Sequence, residues 1–131
     1  MTLPKFRAWD KISKNMFPVM MIDFGQSYVM IEEINGLWCE RDFDEIELMQ
    51  STGLVDENGK EIFEGDIIKF ECYGIDYVEE VVFDDKVGAF GTVDENGKVF
   101  SFEKLMNDCC ADYTEVIGNI YESPELMEEM E

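Results

Sequence analysis

Four acidic side chains stand on either side of a short apolar segment in the second half of the chain. Glu79 and Glu80 precede Val81–Phe83, and Asp84 and Asp85 follow it. Carboxylate oxygens are the ligands that Mg²⁺ and Ca²⁺ prefer, so this arrangement could gather a divalent cation. Charge runs are more often solvated faces, and we favour the acidic rim of an exposed hairpin. We therefore predict these four residues as binding residues and assign no metal site.

The residue types that most nucleophilic catalysis requires are missing or badly placed. The chain has no histidine, which removes the Ser-His-Asp and Cys-His systems and every zinc site that uses histidine. The four cysteines form no C-x-x-C pair, and Asp108 and Asp112 flank the adjacent Cys109 and Cys110. Negative neighbours disfavour a reactive thiolate. We predict no catalytic residue and no cofactor.

The balance of charge is strongly acidic and uneven along the chain. There are 31 acidic and 10 basic residues, which gives a net charge of -21. Residues 1–14 carry a net charge of +3, whereas residues 71–131 hold 17 acidic residues and three lysines. A protein that binds nucleic acid directly needs Lys and Arg to neutralise phosphates, so we predict no such binding. The basic N-terminal segment could dock on the acidic surface, within one chain or between subunits.

Nothing in the chain favours export or membrane insertion. The first residues lack the apolar run of a signal peptide. The longest nearly uncharged run, Asn15–Ile31, contains Asp23 and is too polar to span a bilayer. The cysteines are expected to be free thiols. We therefore expect a cytoplasmic protein with no membrane partner.

Short apolar segments separated by turn residues predict a mainly β fold. The predicted strands are residues 6–9, 16–17, 20–24, 28–34, 37–41, 66–72, 77–83, 87–93 and 115–121. Residues 42–50 fit either a helical turn or an irregular approach to the next strand. About five short strands with a helical turn before the last are typical of a small SH3-like barrel.

Two parts of the chain are predicted to fold together. An N-terminal hairpin-rich segment, residues 1–50, should pack on an SH3-like barrel with a short C-terminal helix, residues 51–131. Each part alone is near the size at which a core becomes marginal, so we predict one cooperative unit. The predicted helices begin after the N-cap residues Ser101 and Ser123, and the first extends over Phe102–Asn107.

One six-residue string occurs twice, as Val55–Lys60 and as Val93–Lys98. Asn-Gly is typical of a type I′ turn, whose two central residues have positive φ, so the repeat predicts two hairpin tips. A calcium loop fails on spacing, because Gly59 as the EF-hand glycine would place the first ligand on Leu54. Two further turns are predicted at Gln50–Gly53 and Glu64–Asp66. Bulges or close packing are predicted at the strand glycines Gly88, Gly91 and Gly118.

Three longer strings share their order and spacing with one group of proteins. They are Lys5–Asp10 with Met16 following, Leu48–Leu54 running on to Ile67, and Val116–Glu122 closing on Pro124–Leu126. Together they resemble the YopX family, small proteins of phages and prophages, over essentially the whole chain. The resemblance implies a mostly β protein of phage or prophage origin, and it implies no activity.

Two classes of function follow from these observations. The first is a non-enzymatic phage accessory protein whose acidic surface binds a basic patch on a host or phage protein. In its sharper form the carboxylates mimic the phosphates of a nucleic acid. The second is a homo-oligomeric structural or assembly protein that uses edge strands and its basic N-terminus. A carboxylate-metal-dependent enzyme is a distant third.

Trp9 is the remaining candidate binding residue. It lies between Arg7 and Lys11 in the basic N-terminal segment. An aromatic residue flanked by cations either packs over the core or anchors a partner. We favour packing over the predicted barrel and keep the partner contact as the alternative.

Overall fold

A computed structural model describes residues 3–94, 96–104 and 114–128. Within these residues the chain is mainly β, with strands arranged in two antiparallel sheets. The chain divides into two compact units, one that ends at Ser51 and one that begins at Thr52. No helix among the described residues has the length and apolar character needed to cross a membrane.

The first unit is an antiparallel meander. Its strands are β1 (Phe6–Asp10), β2 (Asn15–Asp23), β3 (Tyr28–Glu32), β4 (Trp38–Asp42) and β5 (Ile46–Val55). They lie side by side in the order β4-β3-β2-β1-β5. Buried apolar side chains on one face form the core of this unit, namely Ala8, Phe17, Val29, Ile31 and Ile46.

Strand β5 resolves the ambiguous region and overturns one predicted turn. A 3-10 turn at Phe43–Glu45 is followed directly by the strand. The prediction of a turn at Gln50–Gly53 is wrong, because these residues lie inside β5. Gly53 has a φ of 81°, and the Thr52 hydroxyl donates a hydrogen bond to the carbonyl of Ile62 at 2.8 Å. Turn-forming residues here bend a continuous strand instead of ending it.

The second unit holds the remaining elements. They are β6 (Glu61–Phe63), β7 (Asp66–Cys72), β8 (Ile75–Asp84), β9 (Ala89–Val93), β10 (Val99–Ser101), α1 (Phe102–Lys104), β11 (Thr114–Asn119) and α2 (Glu125–Glu128). Strand β6 follows β5, and the other strands form a sheet in the order β10-β9-β8-β7-β11. These pairings close no barrel within the described residues, so the SH3-like barrel is not confirmed. Residues 105–107 of the first predicted helix lie outside the described residues.

Alternation along β7 sets the core of the second unit. Ile68, Phe70 and Cys72 are buried, whereas Lys69 and Glu71 between them are exposed. Successive side chains of a strand point to opposite faces, so one face of β7 builds the core. The cluster comprises Ile62, Ile68, Phe70, Cys72, Val81, Phe102 and Val116, with Phe90 and Phe100 packed against it.

Two glycines are placed where a side chain would collide. A Cβ on Gly91 would meet the backbone of Phe100 on the neighbouring strand β10. A Cβ on Gly118 would lie 2.9 Å from the Cβ of Ser123, and the pairing of β11 with β7 shifts register between Val116 and Gly118. The predictions of close packing at Gly91 and of a bulge at Gly118 are confirmed. The same prediction is wrong for Gly88, which lies in the turn before β9 with a φ of 68° and has open space where a Cβ would be.

The repeated string forms the same loop twice, but the loop is not a type I′ turn. Lys14, Ser27 and Tyr73 are the non-glycine residues with positive φ in the described part of the chain, so Asn58 and Asn96 do not have the φ that this turn requires. In each copy the Asp accepts hydrogen bonds on one carboxylate oxygen from the backbone N–H groups two and four residues later. The glycine supplies the positive φ and the aspartate closes the loop.

The first copy of the loop is also hydrogen-bonded to strand β11 of the second sheet. Asp56 accepts a further hydrogen bond, 2.9 Å long, on Oδ2 from the backbone N–H of Val116 on β11, 60 residues away in sequence. Asp94 in the second copy is partly exposed, and the hydrogen bonds that its carboxylate accepts from described residues stay within the loop. Burial would raise the pKa of Asp56, but the N–H groups of Val116, Lys60 and Asn58 outweigh it and lower that pKa below its ordinary value.

The two loops provide a matched pair of substitutions. Asp56→Ala should lower the free energy of unfolding by about 2–4 kcal/mol, because three backbone N–H groups lose their acceptor and one of them is buried in the sheet. Asp94→Ala should cost about 0–1 kcal/mol, because it removes only the loop bonds. Urea unfolding of both variants measures the difference, and equal losses would contradict the role assigned to Val116.

Candidate binding groove of the second unit

The two predicted glutamates on β8 point to opposite faces of the sheet. The prediction that both are exposed is wrong for Glu79, which is only 5% exposed, and Glu80 is half-buried. Glu79 shares a face with the fully buried Val81 and therefore occupies a core-facing position. Two adjacent glutamates between valines give no alternation, so the sequence cannot indicate which one faces inward.

The two predicted aspartates lie at the other end of β8. Asp84 is half-buried, and its Oδ1 accepts a hydrogen bond from the backbone N–H of Lys86 at 3.1 Å, which closes the turn to β9. Asp85 is exposed. Asp84 is five residues beyond Glu79 along an extended strand, or about 16 Å. The four acids do not form one cluster, and no group of three or more metal-ligating side chains occurs among the described residues.

Two other predicted positions lie elsewhere. Trp9 is half-buried on β1, in the first unit. Its role as a partner anchor stays a prediction. Cys109 and Cys110 are outside the described residues. Cys39 and Cys72 form no disulfide, and Cys72 is part of the core of the second unit.

Glu79 is held in place by the neighbouring strand β9. The hydroxyl of Thr92, itself fully buried, donates a hydrogen bond of 2.7 Å to Oε1 of Glu79. The pairing of β8 with β9 places Asp94 opposite Glu79. Burial raises the pKa of Glu79 above its ordinary value, and the charge of Asp94 raises it further, against the opposing effect of the Thr92 hydrogen bond.

A groove of about 390 Å³ opens beside Glu79. Acidic and aromatic side chains line it, among them Asp76, Tyr77, Glu79, Asp94 and Phe100. Sequence reasoning missed the aromatic members, although the repeated loop had drawn attention to the segment that carries Asp94. The signal that would have found them is the strand register, which sets Tyr77 two residues before Glu79 on the same face.

Both aromatic walls of the groove are fixed by neighbours. The Tyr77 ring stacks on the buried Phe70 ring, with centroids 5.5 Å apart and an angle of 18° between the planes. The ammonium of Lys98 lies over the Phe100 ring, 5.1 Å from its centroid. An ammonium over an aromatic face is attracted by the negative electrostatic potential of that face. One wall of the groove thus already holds a cation of the chain itself.

The hairpin of β7 and β8 ends in an exposed apolar and acidic tip beyond the groove. Tyr73 is 83% exposed and Ile75 is also exposed. Glu71 and Asp76 are exposed beside them, and Asp76 lies 3.9 Å from the ammonium of Lys69. Aromatic residues surrounded by charge are a common composition of protein interfaces.

Comparison with known proteins places the chain in a family. The family model described as YopX protein matches residues 5–128. The chain belongs to the YopX family. Comparison with curated protein sequences gave no match.

Two crystal structures are similar to this YopX-family chain over nearly its full length. Protein EF1440 from Enterococcus faecalis is 32% identical, with a TM-score of 0.63 over 97% of this chain and 99% of that one. Protein yopX from Bacillus subtilis is 22% identical, with a TM-score of 0.60 over 93% of this chain and 96% of that one. The likeness to yopX shows the fold alone.

The buried charge of Glu79 makes a prediction about stability and pH. Because the pKa of Glu79 is raised in the folded state, the folded chain binds more protons than the unfolded chain above the ordinary glutamate pKa of about 4.3. This group therefore lowers stability as pH rises above that ordinary value, and the cost grows until the raised folded-state pKa is passed. Glu79→Gln should unfold at higher urea than the wild type at pH 7, with the difference disappearing near pH 4.

The exposed Glu71 provides the control for that measurement. Glu71→Gln also removes one negative charge, but from an exposed position on the neighbouring strand β7. It should leave the urea midpoint nearly unchanged at both pH values. A Glu79→Gln variant that is less stable than the wild type at pH 7 would show that the ionised carboxylate supports the fold.

Proposed function

We propose that this YopX-family chain is a non-enzymatic binding module that captures a basic protein of the bacterial host or of a phage. Charge supports the proposal, because residues 52–131 carry a net charge of -17 and residues 1–51 only -4. A field of one sign steers a partner of the opposite sign and rejects partners of the same sign. The binding surface therefore belongs to the second unit.

The observation that carries the proposal is the end of the hairpin formed by β7 and β8. Tyr73, Ile75 and Tyr77 expose apolar surface there. Glu71 precedes them in sequence, and Asp76 lies between Ile75 and Tyr77. Apolar and aromatic contacts supply affinity in interfaces, and surrounding charges supply orientation and on-rate. This tip offers both within one hairpin.

Not every acid of the second unit is available to a partner. Asp56 and Asp66 are buried and accept hydrogen bonds from backbone N–H groups, and Asp84 closes a turn. These carboxylates stabilise the fold. We therefore place the partner contacts on Glu80, Asp85 and the acids of the hairpin tip, and place Glu79 at the base of the groove.

Nucleic-acid mimicry is the sharper form of the proposal. Exposed carboxylates that follow one another along a surface imitate the phosphates that a DNA-binding protein recognises. The net charge of -21 disfavours direct binding of a duplex, which agrees with a partner that is itself the nucleic-acid binder. Such a complex would form in the cytoplasm of the bacterial host and would weaken steeply with salt.

Affinity capture tests the proposal. Tagged wild type should retain a basic protein from a lysate of the bacterial host at low salt and lose it at high salt. The double variant Glu71→Gln/Asp76→Asn should retain at least about threefold less of that protein at low salt, because two exposed charges contribute modestly to an interface. The retained protein is identified by mass spectrometry, and duplex DNA should displace it if mimicry is correct.

The first unit provides a control of equal charge. Glu40→Gln/Asp44→Asn also removes two negative charges from exposed positions and should leave capture unchanged. Equal loss in both double variants would show that total charge, and not the hairpin tip, governs binding. A partner that stays bound at near-molar salt, or recovery of the bait alone, would contradict electrostatic capture.

Self-assembly is the second candidate function, and one feature of the first unit favours it. Ile34 is 95% exposed at the tip between β3 and β4, and Leu37 and Trp38 beside it are also exposed. Strand β4 is the edge of its sheet, and edge strands can pair with a second chain. Light scattering distinguishes the candidates, because a clean monomer at high concentration would exclude self-assembly.

A further inference from the structure

The side chains that line the groove beside Glu79 are suited to binding an organic cation with an extended, flat charged group. Its base is a carboxylate that is nine-tenths buried, and Asp94 and Asp76 bring two more carboxylates to its lining. Among the described residues, Thr92 is the one hydrogen-bond donor to the Glu79 carboxyl, and it donates to Oε1. Oε2 can therefore accept a bond from a group that enters the groove.

The aromatic walls indicate what kind of cation fits. Tyr77 is held by its stacking on Phe70, so its ring is positioned before any ligand arrives. Phe100 already has the Lys98 ammonium over its face. Rings of this kind favour a cation that can lie flat against them, and a guanidinium does so better than a compact ammonium.

The volume and composition of the groove also exclude a bare metal ion. A groove of about 390 Å³ is within the size range of sites for small organic groups. Divalent cations instead need several oxygen ligands converging within about 2.6 Å of one point. In the part of the chain that the structure describes, no three carboxylate or thiol side chains, those of the groove included, are placed so that together they could hold a metal ion.

We propose that this groove binds the guanidinium group of an arginine side chain presented by the basic partner. The guanidinium donates to Glu79 and Asp94 and stacks on Tyr77, while the rest of the partner covers the hairpin tip. This inference rests on the proposed function and adds the chemistry by which the partner is recognised. Lys98 occupies part of the same surface and has to move aside when the arginine enters.

A titration with a blocked amino acid tests the site without the partner. N-acetyl-arginine amide is added to the full chain at low salt, and two-dimensional NMR follows the backbone amides and the aromatic rings. The shifts should be confined to the backbone amides of residues 76–79, 94 and 96–100 and to the Tyr77 and Phe100 rings. N-acetyl-citrulline amide, which has the same shape without the charge, should produce no shifts, and N-acetyl-lysine amide should bind more weakly.

Substitutions on both sides of the site sharpen the test. Glu79→Gln should weaken binding of the blocked arginine at least about tenfold, because a charge-assisted hydrogen bond is lost. Glu40→Gln, at an exposed position of the first unit, should leave it within about twofold. Lys98→Gln should strengthen it about two- to fivefold, because a competing cation over Phe100 is removed. The Lys98 variant keeps the inference testable even if the Glu79 variant folds poorly.

The possible results separate this inference from the proposed function. Equal shifts from the arginine and citrulline compounds, or shifts spread over the acidic surface, would overturn the guanidinium site. So would a Lys98→Gln variant that binds the blocked arginine more weakly. Capture of a basic partner that survives Glu79→Gln would overturn the groove as its recognition site and leave the binding module standing. Loss of that partner in Glu79→Gln, but not in Glu40→Gln of the first unit, supports both.

Discussion

The fold of the second unit depends on the hydrogen bonds that the carboxylate of Asp56 accepts. Two of its hydrogen bonds close the loop before β6, and the third holds Val116 of β11, which is part of the core. Local and distant parts of the chain thus meet at one buried side chain. Asp10 has a comparable position in the first unit, where it accepts hydrogen bonds from Ile12, Ser13 and the Arg41 guanidinium. In both units the carboxylate of a buried aspartate accepts hydrogen bonds from backbone N–H groups and so fixes the backbone around it.

Glu79 shows the opposite use of a buried acid. No backbone N–H among the described residues donates to it, and its pKa is raised where that of Asp56 is lowered. A glutamine at this position would keep the Thr92 hydrogen bond without the cost of a buried charge. A carboxylate retained at a cost to stability, in a groove with aromatic walls, is typical of a site that serves binding and not folding.

The sequence predicted the local structure well where one physical signal dominates. Alternating apolar residues located β7 with its observed bounds, and the crowding at Gly91 and Gly118 followed from glycine within strands. The facing of Glu79 could not be predicted, because the sequence around it has no alternation and burial depends on β9. The groove was missed for the same reason, since its walls come from strands that only the sheet brings together. Gln50–Gly53 shows that turn residues also occur in a bent strand.

The central claim is that the buried acids of the second unit divide into Asp56 and Asp66, which hold the fold, and Glu79, which is kept ionisable for a partner. Carbon-13 NMR titration of the side-chain carboxyl groups tests this division directly, residue by residue. The account predicts that Asp56 titrates below the ordinary aspartate pKa and Glu79 above the ordinary glutamate pKa. Titration of Glu79 at or below its ordinary value would contradict it, because the carboxylate would then be stabilised by the fold itself.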